Sequence, residues 1–157
     1  FGLALAYGGL AQLAAGMWEF AKGNVFGATA FSSYCAFWIS FWWLTGHTDL
    51  SAAGNCAGKG VGLFLLAWGI FTLYMTVAAL RVNVAVLTVF VLLTLTFFLL
   101  AFGKFNGSAE LGKFGGLLGT LTAIAAWAGR AIWRWVSRRA APPRTCWRGC
   151  GPRHRAA

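Results

Sequence analysis

Hydrophobic positions fall into five runs, at about 1–20, 26–45, 61–80, 82–102 and 114–135. A helix rises 1.5 Å per residue, so each run is close to the ~20 residues needed to cross about 30 Å of hydrocarbon. No water reaches the backbone there, and a helix satisfies its own N–H and C=O groups. The pattern therefore predicts five membrane helices. Their connectors, 21–25, 46–60, Arg81 alone and 103–113, are short enough to make sequential helices antiparallel neighbours. No internal repeat is evident. One stretch breaks the apolar pattern: residues 23–34 carry an amide, several hydroxyls and a phenol from the first connector into the second run. Polar groups inside a membrane span mark a helix contact or a pathway.

Composition excludes a soluble helical core. Of 157 residues, 59% are hydrophobic and 10% charged, and mean hydropathy is +0.69, so the fold class is an all-α integral membrane protein. We divide the chain into a helical bundle over 1–136 and a basic, disordered tail over 137–157. The sequence opens at Phe1 inside a hydrophobic run, without methionine or a basic leader, and is read as truncated at its start. The net charge of +10 is unevenly placed. Residues 1–127 hold Lys22, Lys59, Arg81, Lys104 and Lys113 against Glu19, Asp49 and Glu110, whereas residues 128–157 add eight arginines and no acid. The tail reads as a segment held at an anionic leaflet, as a solvated cytoplasmic end, or as a misread frame. No folded domain presents its arginines, which argues against nucleic-acid binding. Alternation places Lys22, Arg81 and the tail on one side, with Lys59, Lys104 and Lys113 on the other. The basic tail makes its own side cytoplasmic.

Small residues four apart, Ala4 with Gly8, Gly112 with Gly116 and Gly115 with Gly119, predict close helix contacts, or the lining of a narrow pore. Gln12 and Glu19, seven apart, share a helix face that should point inward, with Glu19 either pairing with Lys22 or guiding ions or protons. Thr29, Ser33 and Ser40 share a face of the second helix, where their hydroxyls can return to carbonyls of the preceding turn. Cys146 and Cys150 with His154 offer too few ligands for zinc, so neither metal nor cofactor is expected. No nucleophile–base constellation, metalloprotease motif or phosphate loop is present, and enzymatic activity is not expected. Trp18, Trp38, Trp42, Trp43, Trp68, Trp127, Trp133 and Trp135, mostly near predicted helix ends, read as interface anchors.

The strings Tyr7-Gly8-Gly9-Leu10-Ala11-Gln12, Ala15-Gly16-Met17-Trp18-Glu19 and Gly23-Asn24-Val25-Phe26-Gly27-Ala28-Thr29-Ala30-Phe31-Ser32-Ser33-Tyr34 resemble the acetate uptake transporter family, the succinate/acetate permeases. Leu66-Ala67-Trp68-Gly69-Ile70-Phe71-Thr72 and Phe98-Leu99-Leu100-Ala101-Phe102-Gly103 extend the resemblance in order across about residues 1–127. It implies a six-helix protomer assembled as a hexamer in the cell membrane, with a narrow route for small monocarboxylates through each protomer. The family's first helix, with its Asn-Pro-Ala-Pro-Leu-Gly signature, has no counterpart among the five runs. A constriction is implied at Tyr34 and Leu93, completed in the family by a phenylalanine of that first helix. Ala126 matches a position tied to substrate selection, and Ala128 stands where the family carries tyrosine. Gln12, Glu19, Asn24, Thr29 and Ser33 are the further candidates for pore lining or coupling, with the Tyr34 hydroxyl as a donor to the passing acid. The implied function is transport of acetate and related acids, including succinate; proton coupling is expected because a neutral acid avoids most of the desolvation penalty, with Glu19 as the candidate residue. The alternatives are a non-transporting structural or sensing protein, or ammonium export.

Overall fold

The computed structural model describes residues 2–50, 52 and 54–140, with side chains described as far as 129 except at Asn55. Every regular element among these residues is helical. The first rod is π-wound over Ala4–Ala11 and continues as α1, Gln12–Ala21. Then follow α2, Val25–Gly46, α3, Asn55–Ala79, α4, Val84–Asn106, and α5, Ala109–Ala140. Cys146, Cys150 and His154, with the tail beyond 140, lie outside the described residues, as do the side chains of Trp133 and Trp135.

Glycines form the close seams. A Cβ at Gly16 would meet Ser32 Oγ at 2.7 Å and the Ser32 nitrogen at 3.1 Å, while Gly8 and Gly9 lie under Trp38 and Ile39. The first rod and α2 thus form one tight antiparallel hairpin. Gly62 sits under Phe105 and Ala101, and Gly69 under Phe97 and Phe98, which sets the antiparallel register of α3 on α4. Gly115 against Leu100 and Gly119 against Thr96 do the same for α4 and α5. Association in lipid depends on such approach, because the tails are as apolar as the helices. The expected pairs Ala4/Gly8 and Gly115/Gly119 are on or beside these seams. In the pair Gly112/Gly116 only Gly112 is, its nitrogen 3.1 Å from a Cβ placed on Gly103, while Gly116, one residue and about 100° round from Gly115, is exposed with nothing within 4 Å.

A different contact joins the hairpin to α3 and α4. Phe26, Tyr34, Phe37 and Phe41 on one face of α2 reach Phe64, Trp68 and Phe71 of α3 and Phe90 and Phe97 of α4, with ring centroids 5.2–6.4 Å apart. Backbones here stay well separated, and rings fill the gap. Trp68 therefore belongs to the core and not to an interfacial belt, unlike Trp127, which is exposed.

Several boundaries differ from the sequence expectation. The 103–113 connector shrinks to Gly107 and Ser108, because Gly107 takes φ +62° and both N–H groups return to the Gly103 carbonyl. The 46–60 connector narrows to 47–54, since Cys56 and Lys59 already lie in α3. The single-residue turn at Arg81 widens to 80–83, where Asn83 caps α4 by accepting from Val86 N–H at 2.9 Å. Helix α5 continues through Ala140, four residues into the expected tail, since Arg and Ala favour helix. Three helices are long and apolar enough to cross a membrane by composition: Cys56–Ala79, Val84–Asn106 and Ala109–Gly129. The first rod is divided by its change of winding, and α2 is diluted by hydroxyls and indoles.

Gly16→Ala is expected to lower stability in detergent by ~1–3 kcal/mol through overpacking against Ser32. Gly60→Ala, in α3 with nothing within 4 Å, should be neutral or gain up to ~1 kcal/mol from helix propensity. Thermal melts of both variants check the contrast.

Candidate functional site

Tyr34 sits at the middle of α2 and is buried where α2, α3 and α4 meet. Its ring lies 5.9 Å from Phe71, 6.1 Å from Phe90 and 6.3 Å from Trp68. Leu93, half-buried on α4, packs against the same cluster. Tyr34 and Leu93 thus both belong to the packed core of the bundle, Tyr34 with Trp68, Phe71, Phe90 and Thr72 as its neighbours.

Three threonines were not singled out from the sequence and surround this point. Tyr34 donates its hydroxyl to Thr72 Oγ1 at 2.9 Å, and Thr72 donates to the Trp68 carbonyl at 2.7 Å. One turn on, Thr76 donates to the Thr72 carbonyl at 2.8 Å and stands 2.9 Å from Thr94 Oγ1 on α4. Thr94 in turn reaches the Phe90 carbonyl at 2.8 Å. The Tyr34–Thr72 bond joins α2 to α3 within the aromatic layer, and a bond of this kind between membrane helices is worth about 1 kcal/mol. Thr76 and Thr94 bring a second pair of hydroxyls together between α3 and α4. The spacing Thr72/Thr76, one helical turn, was the signal available in the sequence. The Tyr34 hydroxyl, expected to donate to a passing acid, already donates to Thr72 in this structure.

The other candidates are distributed elsewhere. Gln12 and Glu19 are half-buried on the α1 face turned to α2, as their spacing required. Gln12 has no hydrogen-bond partner among the described residues. Glu19 pairs with Asn24 and not with Lys22: Asn24 Nδ2 donates to Glu19 Oε2 at 2.5 Å, while the Lys22 ammonium lies 5.4 Å from the centre of the Trp18 ring. Asn24 also caps α2, its Oδ1 accepting from Gly27 N–H at 3.1 Å. Gly27 leaves room for this arrangement, since a Cβ there would meet Asn24 Nδ2 at 2.6 Å. The three residues lock the turn between α1 and α2.

Thr29 and Ser33 line an open groove of about 260 Å³ between the end of α1 and the start of α2, floored by Met17, Phe20 and Ala28. Neither hydroxyl makes the expected bond to the preceding turn, and Ser40 on the same face is exposed. Ala126 is half-buried on α5, which touches α4 and not the aromatic layer. Gly119 against Thr96 and Gly129 against Ala85 place Ala126 at the level of Phe90, one helix removed from Tyr34.

An antiparallel helical bundle of this hydropathy, with glycine seams and a buried Tyr34–Thr72 bond inside an aromatic layer, is a multi-pass integral membrane protein. The profile described as the GPR1/FUN34/yaaH family matches residues 1–134, and the chain belongs to that family. Among curated relatives, ammonia transport outward protein 2 of Saccharomyces cerevisiae is 37% identical over 134 residues, covering 80% of this chain and 46% of the relative. The succinate-acetate/proton symporter SatP of Escherichia coli is 36% identical over 124 residues, covering 79% of this chain and 66% of the relative. Acetate permease A of Emericella nidulans is 49% identical over 79 residues, 45% of this chain and 26% of the permease. The chain thus spans about half the length of the yeast relative and about two thirds of the bacterial one. The solved structure of the bacterial acetate channel SatP superposes with a TM-score of 0.75 at 35% identity, covering 90% of this chain and 80% of that one.

Asn24→Ala removes both the cap and the donor to Glu19, and is expected to cost ~1 kcal/mol. Faster trypsin cleavage at Lys22, beside a lower melting temperature, checks this assignment.

Proposed function

We propose that this protein carries acetate and related short monocarboxylates across the cell membrane through a narrow route in each protomer, with Tyr34 and Leu93 at its constriction. The observation that supports the reading is a buried Tyr34 hydroxyl, bonded to Thr72 and surrounded by rings of α3 and α4, with Leu93 packed against the same core. Family membership supports the substrate class, since relatives are named for acetate and succinate transport. A carboxylate stripped of water in an apolar medium costs tens of kcal/mol. A path for it needs partial hydration and polar partners, and a neck of rings admits small acids while resisting larger ones and ion leak. Glu19, bound to Asn24 beside the groove, is the acid best placed for proton coupling. Gln12, Thr29 and Ser33 present uncommitted polar groups along the first rod and α2, and Ala126 tunes selection from behind α4. The bundle over 1–136 forms the protomer, and assembly into a hexamer follows the resemblance.

Ammonium export is the second reading, favoured by the name of the yeast relative. The Tyr34 oxygen, with its proton given to Thr72, suits an N–H donor as well.

Proteoliposomes holding the protein are expected to take up labelled acetate, with Tyr34→Ala and Leu93→Ala each changing the rate or admitting longer acids. Unchanged uptake in both variants removes the constriction assignment. Ammonium-driven alkalinisation without acetate uptake selects the second reading.

A further inference from the structure

Tyr34 and Thr72 each hold one hydroxyl proton, and the structure says where both go. Thr72 donates its own to the Trp68 carbonyl at 2.7 Å, so toward Tyr34 it can act only as an acceptor. The 2.9 Å contact is then Tyr34 donating to Thr72. Thr72 has no exposed surface and Tyr34 very little, so water does not compete for the bond. The phenol proton is committed within the protein, and what remains on the Tyr34 oxygen is its acceptor capacity. A carboxylate also offers only acceptors, whereas a protonated acid carries an O–H donor.

We infer that Thr72 is a positioning residue that fixes Tyr34 as a hydrogen-bond acceptor, so that the neck passes the neutral carboxylic acid in preference to its anion. This rests on the reading of Tyr34 as the constriction given above. It assigns the selection for the protonated form to a pair of hydroxyls and not to an acidic side chain. The ring neighbours of Tyr34 are Trp68 and Phe71 of α3 and Phe90 of α4, none of which titrates. The charged and titratable groups of the packed elements sit elsewhere. Glu19 and Lys22 lie at the end of the first rod, His47 at the end of α2, Lys59 at the start of α3 and Lys104 at the end of α4. Arg81 follows α3, Tyr7 and Tyr74 are exposed, and Cys35 is turned about 100° round α2 from Tyr34. No charge on these elements is placed to override the Tyr34–Thr72 bond.

The test is uptake of labelled acetate into proteoliposomes at constant total acetate between pH 6 and 7.5. The neutral fraction of an acid with pKa ~4–5 falls about tenfold per pH unit in this range. The unsubstituted protein should follow that fall. Thr72→Val frees the Tyr34 hydroxyl to donate to an anion, and its uptake should fall less than about threefold per unit, while Thr72→Ser keeps the original slope. A merely structural role for Thr72 would scale the rate equally at every pH. Thr72→Val with the unsubstituted slope, or Thr72→Ser with a flattened one, overturns the inference. A second measurement needs no folded Thr72 variant: the Raman tyrosine doublet of the unsubstituted protein minus that of Tyr34→Phe isolates Tyr34. A strong-donor signature is expected, and an acceptor-only signature overturns the assignment. Absence of uptake at every pH removes the constriction reading and the selectivity with it, whereas uptake with an unchanged slope in Thr72→Val removes this inference alone.

Discussion

The structure depends on how α2 is held away from α3 and α4. Elsewhere glycines let helices approach until a single Cβ would clash, as at Gly16 and Gly115. Between α2 and its two partners the spacing is set by rings, with Phe37 in contact with Phe64, Trp68 and Phe97 at once. In lipid there is no water-driven gain from bringing apolar surfaces together, so packing and polar bonds decide where helices meet. The ring layer supplies dispersion and edge-to-face contact over a large area without close backbones. It leaves at its centre a place that side chains alone define.

That place could not have been apolar throughout, because Tyr34 brings a hydroxyl to it. A buried hydroxyl without a partner is costly, and Thr72 removes the cost by accepting the Tyr34 proton. Thr72 gives its own proton to the Trp68 carbonyl, so it satisfies Tyr34 without introducing a new unpaired donor. Glu19 is treated in the same way at the other end of the hairpin, where Asn24 supplies the donor and Gly27 supplies the room.

The helical runs were legible because each is long, apolar and bounded by Gly, Asn or a charge. Boundaries failed where those same residues were accommodated inside a helix: Gly103, Lys104 and Lys113 looked like loop, yet the turn needed only Gly107 and Ser108. The inward face of Gln12 and Glu19 followed from spacing alone. The partner of Glu19 did not, since a charge at i+3 is the obvious choice and an amide at i+5 reaches it only across a turn. Tyr34 and Leu93 were marked by resemblance, and Thr72 lay inside a quoted motif without its role showing. Hydroxyl partners on neighbouring helices depend on register, which one chain's periodicity does not contain. Ala126 stands apart for the converse reason: a match of position carries no information about which helix intervenes.

The two kinds of seam differ in what inheritance can do with them. A glycine against backbone accepts no added atom, so a lineage that keeps these helices where they are must keep Gly16 against Ser32 nearly unchanged. The ring layer is filled by large side chains that can be exchanged for one another or for leucine while every backbone stays in place. The packing at the centre of this bundle can therefore be reshaped by a few substitutions, on a scaffold that the glycines keep from drifting.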